Sequence, residues 1–207
     1  HCAIIGTEMA RFHLMGQDYP GQRINPRGID WIIAVTDMLD NNLTDSDRQL
    51  IRTSLLAASK LDLGRLPRGS IHADLFHDNV LFKGNGLGGI LDFDYACSDS
   101  FVFDIAVLLN DWCIDSQGML VAERASATLE AYQQFRRLEA IEIDSLPFML
   151  CLTALRFWLS RLYDMTFPLS GELTFTKDPE TFREMLVLRN SHQPEIKALL
   201  ASLQAQC

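Results

Sequence analysis

The stretch from His72 to Asp94 decides the fold, and it reads HADLFHDNVLFKGNGLGGILDFD. Asp74 and Asn79 are five residues apart in a polar loop, and Asp92 follows one short hairpin later, behind two apolar residues. Phosphoryl transfer needs one carboxylate for the acceptor hydroxyl, and an amide and a second carboxylate for magnesium. Taken one at a time, these residues would equally well cap the turns of a solvated loop. Together, at this spacing around a hairpin, they favour a site for phosphoryl transfer.

A β-hairpin lies between these polar residues. The short apolar runs Val80–Phe82 and Gly89–Leu91 are joined through Gly84-Asn85-Gly86, a sequence typical of tight hairpin turns. Apolar periodicity predicts helices on both sides of the hairpin, and Thr44 is placed to cap one of them. The predicted helices span 2–15, 29–40, 45–61, 104–114, 119–138, 145–165, 178–190 and 193–205, with a break at 67–70 and a loop from 92 to 103. The predicted fold class is therefore α+β, mostly helical, with an inserted β-hairpin.

Composition narrows the classes of function. The net charge of −9 and the pI of about 4.9 argue against a nucleic-acid partner and against binding to an anionic membrane. The odd number of cysteines, five, fits neither a metal motif nor a disulfide framework, which predicts a reducing, cytoplasmic location. The most apolar segment, Leu146 to Leu159, contains Pro147 and Arg156 and is too short to span a bilayer. We expect it to be a buried helix.

The His-x-Asp-x-x-x-x-Asn pattern, followed by a hairpin and Asp92, resembles the catalytic core of the protein-kinase-like superfamily, and most of all its aminoglycoside and choline phosphotransferase branch. Within that branch, four stretches are similar to the bacterial homoserine kinases: IHADLFHDNVLF from Ile71, DFDYA from Asp92, NDWC from Asn110 and LRFWLSRLYD from Leu155. The resemblance covers most of the chain. It implies that residues 1–207 form the C-terminal lobe of a kinase-like, aminoglycoside-phosphotransferase-type fold. It also implies ATP-dependent phosphorylation of a small-molecule hydroxyl, with L-homoserine as the acceptor and threonine biosynthesis as the setting.

The resemblance also assigns roles to single residues. It makes Asp74 the catalytic residue that orients the acceptor hydroxyl and takes its proton, and it gives Mg²⁺ to Asn79 and Asp92. Hard oxygen ligands suit magnesium, and an ionised carboxylate suits proton transfer. His72 is expected to pack beneath the loop as structural support. Asp104 is expected to accept hydrogen bonds from the loop backbone, or to cap the helix that begins there.

An amino-acid acceptor needs a cation for its carboxylate and an anion for its ammonium group. Arg156 and Arg161 lie in an apolar helix, where an unpaired charge is costly. We favour Arg161 for the substrate carboxylate, because a guanidinium binds a carboxylate through two parallel hydrogen bonds. The alternative is a structural ion pair between Arg161 and Asp164. Asp111 is the candidate for the substrate ammonium group.

Nothing in the sequence matches the glycine-rich loop and the strand lysine with which kinases of this type hold ATP phosphates. We therefore expect that the N-terminal nucleotide-binding lobe is absent from this chain. We also expect that this absent N-terminal lobe is a partner of the chain. Two alternatives stay open. One is a kinase for another acceptor, such as an aminoglycoside, choline or a sugar, and the other is a non-catalytic kinase-like binding domain.

Overall fold

Helices form most of the chain, and the polar motif lies between a few short strands. The computed structural model describes residues 1–168 and 177–204. The helices are α1 (Cys2–Met15), α2 (Ile29–Met38), α3 (Asp45–Ala58), α4 (Phe101–Trp112), α5 (Ala122–Gln133), α6 (Ala140–Thr166), α7 (Glu180–Ser191) and α8 (Gln193–Gln204). The strands are β1 (Arg68–Ile71), β2 (Val80–Lys83), β3 (Gly86–Ile90) and β4 (Cys97–Ser100). The predicted α+β class with an inserted hairpin is confirmed.

Thr44 caps α3 as predicted. Its hydroxyl oxygen accepts from the backbone N–H of Asp47 at 3.2 Å, while Asp47 Oδ2 accepts from the backbone N–H of Thr44 at 2.9 Å. This reciprocal capping box satisfies two amide groups that have no partner inside the helix. Asp47 also pairs with Arg183 of α7 at 2.6 Å, so the start of α3 is tied to the C-terminal helices.

Helix α6 is the centre of the molecule. It is 27 residues long and packs against α2, α3, α4, α7 and α8. The prediction that it begins at residue 145 is wrong, because the helix starts at Ala140. Glu139, the N-cap residue, and Glu142 form a capping box there, and buried Glu142 pairs with Arg136 at 3.0 Å. Pro147 lies inside the helix and removes a backbone donor without ending it.

The strands form two antiparallel pairs, β1 with β4 and β2 with β3. The β2–β3 hairpin was predicted, and its turn uses Gly84 at a φ of 60°, which glycine adopts without steric cost. The β1–β4 pair was not predicted. Residues 67–70 were expected to interrupt the helical pattern and 92–103 to be a loop, yet the two segments pair from Arg68 opposite Ser100 to Ile71 opposite Cys97. Helix α4 accordingly starts at Phe101, three residues earlier than expected.

These connections position the polar motif. The residues from His72 to Asn79 leave the end of β1, and the hairpin returns the chain to Asp92. Strand β4 then leads directly into α4, which brings Asp104 beneath the loop. Within the described part of the chain, no helix is long and apolar enough to cross a membrane.

Candidate active site

Asp104 fixes the backbone of the loop that carries Asp74. One carboxylate oxygen accepts from the backbone N–H of His72 at 2.7 Å, and the other accepts from that of Ala73 at 2.6 Å. The side chain of Asp104 has no exposed surface, and His13 of α1 approaches it at 3.1 Å. Charge-assisted hydrogen bonds in a buried setting are among the strongest in proteins. Helix α4 therefore holds the loop from below.

Ala73 needs this support because its backbone is strained. Its φ is 65°, in the left-handed region that disfavours side chains with a Cβ atom. Such residues persist when neighbouring contacts enforce them, and they are concentrated at functional sites. The unusual backbone turns the chain sharply between His72 and Asp74.

His72 links the two halves of the site. Its Nε2 lies 3.0 Å from the carbonyl of Leu91, and its Nδ1 accepts from the backbone N–H of Asp74 at 3.3 Å. This pattern requires the tautomer with the proton on Nε2. The ring also packs on Phe93, with 4.7 Å between centroids. The buried imidazole thus connects the Asp74 loop to the segment that carries Asp92.

Asp74 and Asn79 face each other across the loop. Asn79 Nδ2 donates to the Asp74 carbonyl at 2.8 Å and to its carboxylate Oδ2 at 3.3 Å. Burial raises the pKa of Asp74 to about 6; Arg156 and His72 oppose the rise, whereas Asp92 adds to it. A carboxylate with a pKa near neutrality accepts a proton better than a fully solvated one. This geometry suits Asp74 for taking a proton from a hydroxyl group.

Asp92 is exposed and has a φ of 59°, so the chain turns sharply there too. Among the residues that the structure describes, its Oδ1 accepts one hydrogen bond, a long one of 3.4 Å from the backbone N–H of Asp94. The nitrogen of the Asn79 amide is engaged with Asp74, and its oxygen accepts no hydrogen bond from the described residues. One amide oxygen and one carboxylate fit Mg²⁺, which keeps several waters and takes the rest of its ligands from substrate phosphates. No cluster of three or more His, Cys, Asp or Glu side chains forms a metal site within residues 1–168 and 177–204.

Arg156 is the arginine next to Asp74, which sequence spacing alone did not reveal. Its Nη1 lies 3.6 Å from Asp74 Oδ1, and its side chain is only 3% exposed. Burial lowers the pKa of Arg156 to about 10, opposed by the nearby Asp74, so the group stays charged at neutral pH. The position of an arginine in the apolar helix was the available signal, but helix periodicity does not say which loop packs above it.

Arg161 and Asp111 lie on the outer side of the same loop. Arg161 Nη1 donates to the carbonyl of Asp178 at 3.0 Å, and the guanidinium lies over the ring of Phe182. The described chain shows no ion pair between Arg161 and Asp164. Asp111 Oδ2 accepts from the backbone N–H of His77 at 2.6 Å and lies 2.7 Å from its Nδ1. Both residues therefore contact protein groups, and their predicted roles in binding substrate remain predictions.

Lys177 is a further cation that the motif did not reveal. It pairs with Asp78 inside the loop at 2.5 Å, and its charge slightly opposes the rise in the pKa of Asp74 that burial causes. A separate cavity of about 780 Å³ lies between Gly16–Ile32 and the β1–β4 pair. Asp74, Asn79, Asp92 and Arg156 do not line it.

The chain is similar in sequence and in fold to known proteins. Residues 2–139 match the phosphotransferase enzyme family. The chain belongs to that family. Its curated relatives include the homoserine kinase of Methylobacillus flagellatus, 44% identical over 90% of this chain and 58% of the relative. The homoserine kinase of Polaromonas naphthalenivorans is 43% identical over 93% of this chain and 62% of the relative. The chain thus spans about three fifths of the length of these relatives.

Solved structures support the same fold. A choline/ethanolamine kinase family protein from Mesorhizobium loti aligns with a TM-score of 0.71 at 18% identity, covering 99% of this chain and 65% of that one. An amicoumacin kinase in complex with AMP-PNP and Ca²⁺ aligns with a TM-score of 0.63 at 19% identity, covering 95% of this chain and 58% of that one. At these identities the likeness concerns the fold, which is that of kinase-like phosphotransferases, as the sequence predicted.

Proposed function

We propose that this chain is the catalytic part of an ATP-dependent kinase that phosphorylates the hydroxyl group of L-homoserine. The observation that carries the reaction type is the carboxylate of Asp74, which is 15% exposed, is hydrogen-bonded by Asn79 and lies in a loop that Asp104 holds. The similarity to homoserine kinases over nine tenths of the chain supports the choice of acceptor. Threonine biosynthesis and a cytoplasmic location belong to the same proposal.

In this proposal Asp74 accepts a hydrogen bond from the acceptor hydroxyl and takes its proton as the hydroxyl oxygen attacks the terminal phosphorus of ATP. The bond between that phosphorus and the bridging oxygen breaks, and ADP leaves. Phosphoryl transfer needs little covalent chemistry from the protein, so positioning and electrostatics supply most of the acceleration. The hydrogen bond of 2.8 Å from Asn79 Nδ2 to the Asp74 carbonyl fixes the position of the proposed base, Asp74, relative to the proposed metal ligand, Asn79.

Asn79 and Asp92 are the residues that would hold Mg²⁺, which neutralises phosphate charge when bound. The AMP-PNP in the amicoumacin kinase complex supports nucleotide use by this fold. We further propose that a separate nucleotide-binding lobe covers the ATP phosphates in the complete protein. Mixing this chain with that lobe and measuring Mg-ATP binding by calorimetry tests this part. Micromolar binding of Mg-ATP to the chain alone would contradict it.

A steady-state assay with a panel of acceptors tests the function. The complete protein is supplied with Mg-ATP and with L-homoserine, choline, an aminoglycoside or a hexose, and ADP release is measured. We expect kcat/KM to be highest for L-homoserine by at least about tenfold, because a site that hydrogen-bonds polar groups rejects analogues that lack them. Equal or better turnover of another acceptor would refute the assignment, and no turnover at all would favour a non-catalytic binding domain.

A further inference from the structure

The guanidinium of Arg156 is buried with most of its hydrogen-bonding capacity unused. Its Nη1 makes one long ion pair with Asp74, at 3.6 Å. Its Nε and Nη2 are buried and have no hydrogen-bond partner among the described residues. A buried polar group without a hydrogen-bond partner is costly, and native structures rarely contain one. The unpaired nitrogens of Arg156 therefore indicate that a group from outside the chain binds there.

The two unused nitrogens define the shape of that group. Nε and Nη2 lie on the same edge of the planar guanidinium, and this edge donates two parallel hydrogen bonds to the oxygens of one carboxylate or phosphate. Aromatic rings also contact the guanidinium, whose Cζ lies 3.8 Å from the ring centroid of Phe157 and 4.9 Å from that of Tyr95. The Nε–Nη2 edge is the part of the group that has no hydrogen-bond partner among the described residues, so an anion would bind there.

A second guanidinium lies near Tyr95. The guanidinium of Arg27 is 5.8 Å from the ring of Tyr95 and 4.2 Å from the ring of Trp31. The described residues provide no ion pair or side-chain hydrogen bond for it, and its charge acts on Arg156. Two arginines of like charge that converge on one ring repel each other. An anion bound between them would relieve this repulsion.

The length of the acceptor fits the position of Arg156. In extended L-homoserine the hydroxyl oxygen and the carboxylate carbon are roughly 5 Å apart, given carbon–carbon bonds of about 1.5 Å. Arg156 Nη1 is 3.6 Å from Asp74 Oδ1. Asp74 and Arg156 are thus neighbours, and a molecule of this length that contacts Asp74 also lies next to the guanidinium. Arg161 is placed less favourably, because Nη1 of its guanidinium already donates to Asp178.

We propose that Arg156 binds the α-carboxylate of the amino-acid acceptor through its Nε–Nη2 edge, with Arg27 as the second cation of the subsite. Both nitrogens are buried, so side chains around the guanidinium must shift for the carboxylate to reach them. The inference rests on the proposed function, because it presumes an amino-acid acceptor. It adds the residue that distinguishes homoserine from an amino alcohol of the same length.

The test compares L-homoserine with 3-amino-1-propanol, which is homoserine without its carboxylate. In the complete protein, kcat and KM are measured for both acceptors and for ATP in wild type, Arg156→Gln, Arg156→Lys and Arg27→Gln. We expect Arg156→Gln to lower kcat/KM for homoserine about ten- to a hundredfold, the effect of losing a charge-assisted hydrogen-bonded pair. Turnover of 3-amino-1-propanol should fall clearly less than that of homoserine, by the share of the loss that comes from the changed pKa of Asp74, and the KM for ATP should stay within about twofold of wild type. Arg156→Lys should lose nearly as much, since lysine cannot form two parallel bonds.

The matched control is Arg189→Gln. Arg189 is as buried as Arg156, but its Nε and Nη1 already donate to Asn110 and Gly118. This variant should melt at a lower temperature and keep the preference for homoserine. If Arg156→Gln does not fold, Arg27→Gln at its half-buried position carries the same comparison, with an expected loss of about three- to tenfold on homoserine alone.

An equal loss on both acceptors would mean that Arg156 acts only through Asp74, and it would overturn the proposal. A raised KM for ATP would assign the anion site to phosphate instead, with the same consequence. If wild type prefers homoserine and the arginine variants keep that preference, only this inference fails. If wild type does not phosphorylate homoserine, the proposed function itself fails.

Discussion

Replacing Asp104 with asparagine tests how the loop that carries Asp74 is held. The two oxygens of Asp104 accept separate backbone N–H groups, from His72 at 2.7 Å and from Ala73 at 2.6 Å. An asparagine keeps one acceptor oxygen and turns an NH₂ group toward the other N–H. The variant therefore loses a charge-assisted hydrogen bond and places two donors against each other in a site with no exposed surface.

The magnitude follows from that geometry. A hydrogen bond to a charged group contributes about 1.5–3 kcal/mol, and a buried donor left unsatisfied costs about 1–3 kcal/mol. The two contributions overlap, so we expect Asp104→Asn to lower the free energy of unfolding by about 2–4 kcal/mol. The strained φ of 65° at Ala73 then has less support. Asp74 should shift, and kcat should fall more than the KM for ATP rises.

Urea denaturation of the complete protein at neutral pH measures this loss, and steady-state kinetics on the same preparation measure kcat. Asp115→Asn is the matched control. Asp115 also accepts two backbone N–H groups, from Gln117 and Met119, both at 2.9 Å, but it does so through a single oxygen in an exposed loop. Asparagine retains that oxygen, so the control should lose less than about 1 kcal/mol. If Asp104→Asn loses no more than the control, the loop is held by something else.

Three further predictions follow from the same site and from α3. Asp74→Asn should lower kcat by roughly 10²–10⁴ with little change in the affinity for Mg-ATP, and a variant with near wild-type kcat would remove Asp74 from the mechanism. Asp92→Ala should raise the Mg²⁺ concentration required for activity, and an unchanged Mg²⁺ titration would contradict its assignment as a metal ligand. Burial raises the pKa of Asp47, but hydrogen bonds from Thr44 and Arg183 outweigh it and leave the pKa below its ordinary value. The stabilisation from Asp47 is therefore present above the unfolded-state pKa, near 4, and fades as pH falls through the lower folded-state pKa, so Asp47→Asn should destabilise at pH 7 more than at about pH 3.5.

Local patterns predicted the elements that depend on local interactions. The hairpin follows from its glycine turn, and the start of α3 follows from the cap at Thr44. The β1–β4 pair escaped prediction because its residues, such as Gly69 and Asp99, are weak strand formers, and because its partners are distant in sequence. Such a pair is stabilised by the helices packed around it, which periodicity does not describe.

The site divides in the same way. The motif predicted that Asp74 and Asn79 share one loop and that Asp92 follows the hairpin, because this arrangement depends on local sequence spacing. Arg156 required the fold, since its contact with Asp74 joins α6 to a loop far away in sequence. The sequence indicated both arginines of the apolar helix as candidates for binding the substrate carboxylate, and it favoured Arg161. The structure brings Arg156 into contact with the Asp74 carboxylate, because the two arginines are five residues apart and therefore point in different directions from the helix.

The hydrogen bonds around Asp104 also determine how the two sides of the site move. The amide hydrogens of His72 and Ala73 point at a carboxylate with no exposed surface, so they exchange with solvent only when a large part of the fold opens. The amide of Asp94 is held by a long bond to Asp92 in an exposed segment and exchanges through local fluctuations. The side of the site that carries Asp74 therefore stays ordered, while the side that carries Asp92 opens through small local motions.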